Sequence, residues 1–222
     1  MVLLSDLQVM KIYRTKDIRT VDRLYMEKTG VSQTQLIERA ALAFVRAFIR
    51  EEKKPARALV VAGPGNNGAD ARSVARLLTE QGWQTDLWDF SDKDSLERQQ
   101  ADWASYLENL STGVVVVDGL FGSGLTRPVT GFYSQIIEGI NFLDTRVYAV
   151  DIPSGLPGDG IPFTGGAVVK ASATFTFQFP KLSFFFAENY PYVGRWQVLD
   201  IGMGGMVYPE VETPFRMTEE SD

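Results

Sequence analysis

The amino-acid sequence predicts an α/β fold in which helices cover both faces of a mostly parallel sheet and two further helices precede that sheet. Short apolar runs alternate with helical patterns from residue 58 onward, which is typical of parallel strands joined by helices. The four valines at 114–117 indicate a strand that is buried on both faces. The length of 222 residues suits one large domain, and 45% hydrophobic with 23% charged residues excludes a disordered chain.

The two N-terminal helices are predicted from the residues at their ends. The first is expected over residues 16–28 and ends before Gly30, and the second begins at Ser32, which forms an S-x-x-Q capping box with Gln35. Strands are expected at 58–62, 85–90, 113–117, 146–150, 173–179 and 195–200, and helices at 69–81, 95–110 and 129–143.

The two ends of the chain carry weaker patterns than its middle. Residues 1–10 are expected to be a dispensable leader, and they lack the basic segment and apolar core of a signal peptide. The stretch from 208 to 222 is rich in Pro, Glu and Thr, which predicts a tail or linker. One domain over residues 1–207 is therefore expected.

Composition restricts the chemistry that this chain can perform. It has no histidine and no cysteine, which excludes Ser-His-Asp and Cys-His mechanisms and zinc sites built from imidazole or thiolate ligands. Acid–base chemistry must use Asp, Glu, Lys, Tyr or a group on the substrate. The net charge of −6 argues against a nucleic-acid partner, but backbone N–H groups can still hold the phosphates of a nucleotide. No apolar run approaches the ~18 residues of a membrane span, and the lack of cysteine fits a reducing compartment, so a cytoplasmic protein is expected.

The first expected strand is followed by a glycine-rich loop, Gly63-Pro64-Gly65-Asn66-Asn67-Gly68-Ala69-Asp70. Its G-x-G-x-x-G pattern lets a backbone approach a phosphate, and the next helix presents free N–H groups to an anion. A tight strand-to-helix turn without a ligand would carry similar residues. Asn66 and Asn67 favour a ligand, because their amides offer both donors and acceptors.

A second glycine-rich loop follows the valine strand, with the sequence Asp118-Gly119-Leu120-Phe121-Gly122-Ser123-Gly124-Leu125-Thr126-Arg127-Pro128. Its backbone could wrap a diphosphate, and Arg127 could pair with a phosphate oxygen. The alternative is a flexible loop in which Asp118 caps nearby backbone. Two such loops in one domain favour a ligand site.

The next strand ends in Asp151-Ile152-Pro153-Ser154-Gly155. A carboxylate at a strand end, held by a rigid proline turn, is well placed for catalysis, so Asp151 is the candidate general acid–base residue. An aspartate that only caps the loop is the alternative. Ser154 is rejected as a nucleophile, because it has no G-x-S-x-G elbow and no histidine. Lys181 either closes the active site or lies on the surface at a strand end.

Asn67, Asp118 and Ser154 follow three different strands whose carboxyl ends should lie side by side. They offer an amide oxygen, a carboxylate and a hydroxyl, which suit a hard cation rather than a transition metal. A cation site at this edge of the sheet is therefore compatible with the sequence.

In this order, the motifs resemble the NAD(P)H-hydrate epimerase family, also called the YjeF N-terminal domain. The matching stretches are LIERAA at 36–41, GPGNNGAD at 63–70, DGLFGSGLTRP at 118–128, DIPSG at 151–155, and ATFTFQFPK followed by YVG and DIGM. The NNG-x-D and DIPSG motifs are specific, whereas the glycine patterns alone are not.

The resemblance implies a three-layer Rossmann-like fold and a homodimer. It implies an enzyme that interconverts the R and S hydrates of NADH and NADPH, in which water has added at C6 of the dihydronicotinamide ring. A stereospecific dehydratase then restores the S form with ATP or ADP, and residues 211–222 resemble the linker that leads into that domain in bifunctional members.

The resemblance also implies roles for individual residues. By match to the family motifs, the damaged cofactor would be bound by Asn66, Asn67, Gly68, Ala69, Asp70, Gly122, Ser123, Gly124, Leu125, Thr126, Arg127, Pro128 and Asp151. One potassium ion per subunit would be held by Asn67, Asp118 and Ser154.

The chain departs from the family pattern at Ala69 and Ala71, where the family usually has glycine. A methyl group at Ala69 is expected to crowd the phosphate loop or shift its backbone, because only glycine adopts positive φ at low cost. These two alanines keep open a non-catalytic binding module of the same fold, although Asn66, Asn67 and Asp151 are all retained and favour the enzyme.

A third hypothesis is an ordinary NAD(P)-dependent oxidoreductase. The G-x-G-x-x-G pattern suggests it, together with Asp86 or Asp89 about 20 residues further on. The absence of histidine and of a recognisable hydride-transfer partner weighs against it.

Overall fold

A computed structural model describes residues 7–53, 56–110, 112–203 and 211–220. Its strands are β1 (Leu7–Ile12), β2 (Arg57–Ala62), β3 (Gln84–Asp89), β4 (Val114–Gly119), β5 (Val147–Val150), β6 (Ala173–Phe177), β7 (Arg195–Leu199) and β8 (Phe215–Glu220). Its helices are α1 (Thr15–Thr29), α2 (Gln33–Glu51), α3 (Asn66–Glu80), α4 (Leu96–Glu108), α5 (Phe132–Phe142) and α6 (Tyr190–Val193). No helix within these ranges is both long and apolar enough to cross a bilayer.

Strands β2 to β7 form a six-stranded sheet in the order β3-β2-β4-β5-β6-β7, in which every neighbouring pair is parallel. The predicted, mostly parallel sheet is confirmed, and α1 and α2 precede its first strand, β2. The direction of strand addition reverses at β2, which lies between β3 and β4. Such a reversal opens a crevice beyond the carboxyl ends of the two diverging strands. The two glycine-rich loops follow β2 and β4 and therefore border this crevice.

Helices cover both faces of the sheet. Because successive side chains of a strand point to opposite faces, each central strand packs against both layers of helices. In β4, Val115 and Val117 pack into the cluster formed with α2 and α3. Val114 and Val116 pack on the other face into the cluster formed with α4 and α5. The valine run is therefore buried on both sides, as expected from its continuous apolar sequence.

The ends of the first two helices agree with the sequence. Gly30 ends α1 with a φ of 73°, the left-handed conformation that glycine adopts at low cost. The Ser32 side chain accepts a hydrogen bond from Gln35 N, and the Gln35 side chain accepts one from Ser32 N, so the capping box is complete.

Helix α3 begins earlier than the expected residue 69. Ala69 N donates to Gly65 O over 3.1 Å, which makes Gly65 the N-cap and places Asn66 and Asn67 in the first helical turn. The two asparagines therefore present side chains from a rigid helix end rather than from a loop.

The two ends of the described chain pair with each other, within segments where the sequence predicts a dispensable leader and a tail or linker. Strand β1 pairs antiparallel with β8, from Leu7 opposite Glu220 to Ile12 opposite Phe215. The pairing satisfies backbone groups across more than 200 residues of sequence, so no local pattern reveals it. The boundary expected between residues 207 and 208 lies outside the described residues and stays a prediction.

Candidate functional site

A cavity of about 530 Å³ lies at the carboxyl ends of β2, β4, β5 and β6, and α1 and α2 close it from the other side. Eight residues expected to bind the substrate line it, namely Asn66, Asn67, Asp70, Gly122, Ser123, Gly124, Leu125 and Asp151. The structure thus brings both glycine-rich loops and the candidate acid–base residue into one space.

Five other residues expected to bind the substrate are not part of the cavity wall, namely Gly68, Ala69, Thr126, Arg127 and Pro128. Gly68 is buried under the first loop, where an added Cβ would overlap Gly63 O. The Arg127 side chain is exposed and does not line the cavity. Their roles in binding stay predictions.

The backbone at Asp151 makes a sharp turn directly after β5. Asp151 N still donates to Phe175 O of β6 over 2.8 Å, and Ile152 N then donates back to Val150 O over 2.7 Å. The φ of Asp151 is 65°, a conformation that residues other than glycine adopt rarely. Such outliers persist where the surrounding structure imposes them, and they cluster at functional sites.

The Asp151 carboxyl group uses one oxygen to contact the protein. Oδ1 accepts hydrogen bonds from Lys181 Nζ at 2.6 Å, from Thr176 Oγ1 at 3.1 Å and from Phe177 N at 3.1 Å. Within the described part of the chain, Oδ2 accepts no hydrogen bond from the protein. The arrangement fixes the carboxyl group and leaves its second oxygen for a ligand in the cavity.

Lys181, whose role the sequence left open, is a buried partner of Asp151 with only 2% of its side chain exposed. Its ammonium group also donates to Thr176 Oγ1 at 2.8 Å and to Phe179 O at 3.2 Å. A buried ammonium group is stable only when its hydrogen bonds are satisfied and its charge is paired. Lys181 is therefore part of the site and not a surface residue.

Two further aspartates face the same cavity and carry perturbed pKa values. Burial raises the pKa of Asp22 to about 6. The positive charge of Lys181 opposes this rise, and the negative charge of Asp151 adds to it. Burial also raises the pKa of Asp70 well above its usual value, and the negative charges of Asp151 and Asp22 add to this. Perturbed carboxyl groups in a cleft are typical of functional sites.

The three residues expected to hold a cation form one hydrogen-bonded group around Phe121. Asn67 Nδ2 donates to Phe121 O at 2.9 Å, and Phe121 N donates to Ser154 Oγ at 2.7 Å. Ser154 in turn contacts Asp118, through Oγ to Oδ1 at 2.6 Å and through its backbone N to Oδ2 at 2.8 Å.

Asp118 is a fully buried carboxyl group whose contacts are all neutral donors, from Ser154 and Leu120. Burial raises its pKa to about 6, and these hydrogen bonds limit the shift. A buried carboxylate normally requires a positive partner. The neighbouring carbonyl, amide and hydroxyl oxygens suit a hard monovalent cation, so the residues present fit the expected ion.

Ala69 and Ala71 do not have the strained backbone that the comparison with glycine suggested. Both lie inside α3, and among the described non-glycine residues only Asp151 and Gln178 have positive φ. The expected shift of the loop backbone is therefore wrong. Ala71 is fully buried, and its methyl group packs against Gly119. A Cβ added at Gly119 would overlap this methyl group.

The aspartates invoked for an oxidoreductase bind other side chains. Asp86 pairs with Arg57 and accepts the Tyr106 hydroxyl at 2.7 Å. Asp89 pairs with Arg72 at 3.1 Å. In an NAD(P)-dependent oxidoreductase one of these carboxylates would have to bind a ribose, but both are already bound to side chains of the protein.

Sequence reasoning missed the contribution of α1, which supplies Arg19 and Asp22 to the cavity. One signal was present, because Asp22 falls on the helical stripe of Ile18 and Tyr25, which pack in the core. A carboxylate on an apolar stripe is the kind of buried polar residue that requires an explanation. Arg19 had no comparable signal.

Comparison with known proteins gives similarities over most of the chain. A family model described as YjeF-related protein N-terminus matches residues 33–183. The chain is 33% identical over 203 residues to an NAD(P)H-hydrate epimerase of Lentilactobacillus buchneri, covering 85% of this chain and 93% of that protein.

The chain is also 36% identical over 237 residues to a bifunctional NAD(P)H-hydrate repair enzyme of Thermofilum pendens. That alignment covers 96% of this chain but 42% of the relative, so the chain spans less than half of this bifunctional protein. A crystal structure of the yeast protein YNL200c aligns with a TM-score of 0.68 at 23% identity, over 86% of this chain and 88% of that one, which supports the fold.

Proposed function

Because the chain belongs to the family of YjeF-related protein N-termini, we propose that it is an NAD(P)H-hydrate epimerase, an isomerase with Asp151 as its acid–base residue. The observation that carries the proposal is the Asp151 carboxyl group, whose Oδ1 is held by three donors while Oδ2 remains available to a ligand in the cavity. Relatives named for this activity align over most of their length, including one from Levilactobacillus brevis at 34% identity, of which 86% is covered.

The reaction requires a single proton-transfer group. Epimerisation at C6 of the hydrated ring needs either the C6–O bond to break, by loss of hydroxide, or the C6–N1 bond to break, by ring opening to an aldehyde, and the same bond then forms again on the other face. In the first route the Asp151 carboxyl group gives a proton to the departing oxygen and takes one back from the water that adds, and in the second it takes the hydroxyl proton while the ring nitrogen gains one, and the reverse transfers close the ring. No histidine is needed, which fits a chain without one.

We propose that Asn67, Asp118 and Ser154 hold a potassium ion. The support is the buried Asp118 carboxylate with only neutral donors around it, beside the Phe121 carbonyl. A bound cation would supply positive charge at the base of the second glycine-rich loop, next to the negatively charged substrate.

The proposal extends to the partners of the enzyme. The substrates are NADHX and NADPHX, and the functional partner is an NAD(P)H-hydrate dehydratase, which the bifunctional relatives suggest is fused in some members of the family. A homodimer and a cytoplasmic location also belong to the proposal, the second supported by the lack of cysteine.

A coupled assay tests this function. A mixture of R and S NADPHX is treated with an S-specific dehydratase until consumption stops, and this protein is then added in potassium buffer. Consumption of the remaining R form is the expected result. Asp151→Asn is the matched variant, because asparagine has the same shape and tolerates the positive φ at this position.

Persistence of the R form with the wild-type protein would overturn the epimerase assignment and favour a non-catalytic binding module. Full activity of Asp151→Asn would retain the epimerase but remove Asp151 from its proposed role.

A further inference from the structure

The cavity contains three carboxyl groups, from Asp22, Asp70 and Asp151, although the proposed substrate is itself an anion. Its diphosphate must therefore lie away from these groups and near positive charge. Among the described cavity-lining residues, the cationic side chains are those of Arg19 and Lys181. Lys181 is already paired with Asp151.

Arg19 is placed against the second glycine-rich loop. An added Cβ at Gly124 would overlap Arg19 Nη2, so the guanidinium group occupies the space that a side chain at 124 would fill. Within the described ranges, Arg19 forms no ion pair or hydrogen bond with another side chain. Its donors are therefore available beside backbone that also lines the cavity.

The start of α1 is held in place by loops of the site, which positions Arg19 within the first turns of the helix. Thr15 N donates to Asp159 Oδ1 at 2.8 Å, and Gly158 N donates to Ser123 O at 3.1 Å. These contacts connect α1, the loop after β5 and the second glycine-rich loop at a common point. Both Arg19 and Arg127 are exposed, but Arg19 belongs to the cavity wall and is presented from a fixed helix, whereas Arg127 lies outside that wall.

We propose that Arg19 binds the diphosphate of the dinucleotide, between α1 and the loop at 122–125, in the role that the sequence suggested for Arg127. This inference rests on the proposed function and adds the residue that fixes the substrate's position. Guanidinium groups suit the task, because their paired donors match two phosphate oxygens. The diphosphate at Arg19 then leaves the nicotinamide end of the substrate to reach Asp151.

The test uses the full chain and the variants Arg19→Gln and Arg98→Gln, which remove the same charge from an arginine of the cavity wall and from an exposed arginine of α4 outside it. Arg19→Gln is expected to raise KM for both NADHX and NADPHX by roughly 10- to 100-fold with little change in kcat, as loss of one charge-assisted contact predicts. Arg98→Gln should leave KM within about twofold of wild type, because Arg98 is not part of the cavity wall.

A binding titration with ADP-ribose separates this inference from the proposed function, because that ligand carries the diphosphate but no nicotinamide. Arg19→Gln should weaken its Kd by a similar factor, and Arg19→Lys should restore part of the loss. A wild-type protein that binds ADP-ribose through Arg19 but does not epimerise would overturn the proposed function alone. Unchanged KM and Kd in Arg19→Gln, or a loss confined to NADPHX, would overturn the assignment of Arg19 to the diphosphate.

Discussion

Lys181 Nζ lies 2.6 Å from Asp151 Oδ1, although the two residues follow different strands of the sheet. The lysine is almost fully buried, while 18% of the aspartate side chain remains exposed toward the cavity. The pair therefore has a protein-facing cation and a ligand-facing carboxyl group. Its geometry predicts that Lys181 orients Asp151 and also stabilises the fold.

Replacement of this lysine should affect both properties. We expect Lys181→Met to lower kcat by ~100-fold, because a misplaced catalytic group loses that much when its support is removed. The free energy of unfolding should fall by about 2 kcal/mol, less than for a fully buried pair, since Asp151 keeps contact with solvent. Steady-state kinetics and urea denaturation measure the two effects. Lys170→Met, at an exposed lysine, is the control, and equal kinetics in the two variants would contradict the orienting role.

The raised pKa of Asp22 predicts a pH-dependent stability. Its pKa is about 6 in the folded protein against 3.8 for an unperturbed aspartate, so the folded state retains a proton that the unfolded state releases. The associated stability is present below pH 4 and is lost as pH rises through 6. The groups facing Asp22 are Lys181, Asp151 and Asp70.

We therefore expect Asp22→Asn to be more stable than the wild type by about 1 to 2 kcal/mol at pH 8, by about half of that at pH 5, and to match it only below pH 4. Urea denaturation across this range measures the difference. Asp102→Asn, at an exposed position of α4, should show no such trend. A stability difference that is constant with pH would show that Asp22 does not titrate as its surroundings imply.

The proposed potassium site predicts a specific ion effect on stability. Each tenfold increase in potassium above its Kd should add about 1.4 kcal/mol to the free energy of unfolding, because the ion binds only the folded state. We expect Tm to rise with KCl relative to choline chloride at equal ionic strength. Asp118→Asn should abolish this difference, whereas Asp144→Asn at an exposed loop position should retain it. A rise of the same size in both salts would remove the ion from the proposal.

The position of Ala69 and Ala71 inside a helix predicts the effect of restoring the family's glycines. Ala69→Gly should lower the free energy of unfolding by about 1 kcal/mol, the cost of glycine in a helix interior. Ala71→Gly should cost more, because its buried methyl group packs beside Gly119. Neither change should improve kcat or KM, since no positive φ needs relief. Thermal denaturation measures the stability change and the coupled assay measures turnover. Ala104→Gly, at an exposed position of α4, is the control for placing glycine in a helix. A gain in turnover in Ala69→Gly or Ala71→Gly would support the hypothesis that the alanine methyl groups crowd the phosphate loop.

Local sequence patterns were sufficient to predict the layered α/β architecture and the position of its main loops. The alternation of strands and helices and the run of four valines can both be recognised from short stretches of sequence. Both patterns arise because the strands are buried between two layers of helices. The motifs around Asn67, Asp118 and Asp151 also predicted the edge of the sheet at which the cavity lies, because parallel strands bring their carboxyl ends to one edge. The parallel arrangement of the strands is therefore enough to bring these motifs to the same edge of the sheet.

Which charged side chains meet is a property of the tertiary packing. The pairing of Lys181 with Asp151, the approach of Arg19 to Gly124 and the strand pair β1–β8 join residues that are distant in sequence. Each depends on how a helix or a chain end packs against the completed sheet, and side-chain burial and pairing then set the charge of the site. Neither periodicity nor motif spacing contains this information, because both describe one segment at a time.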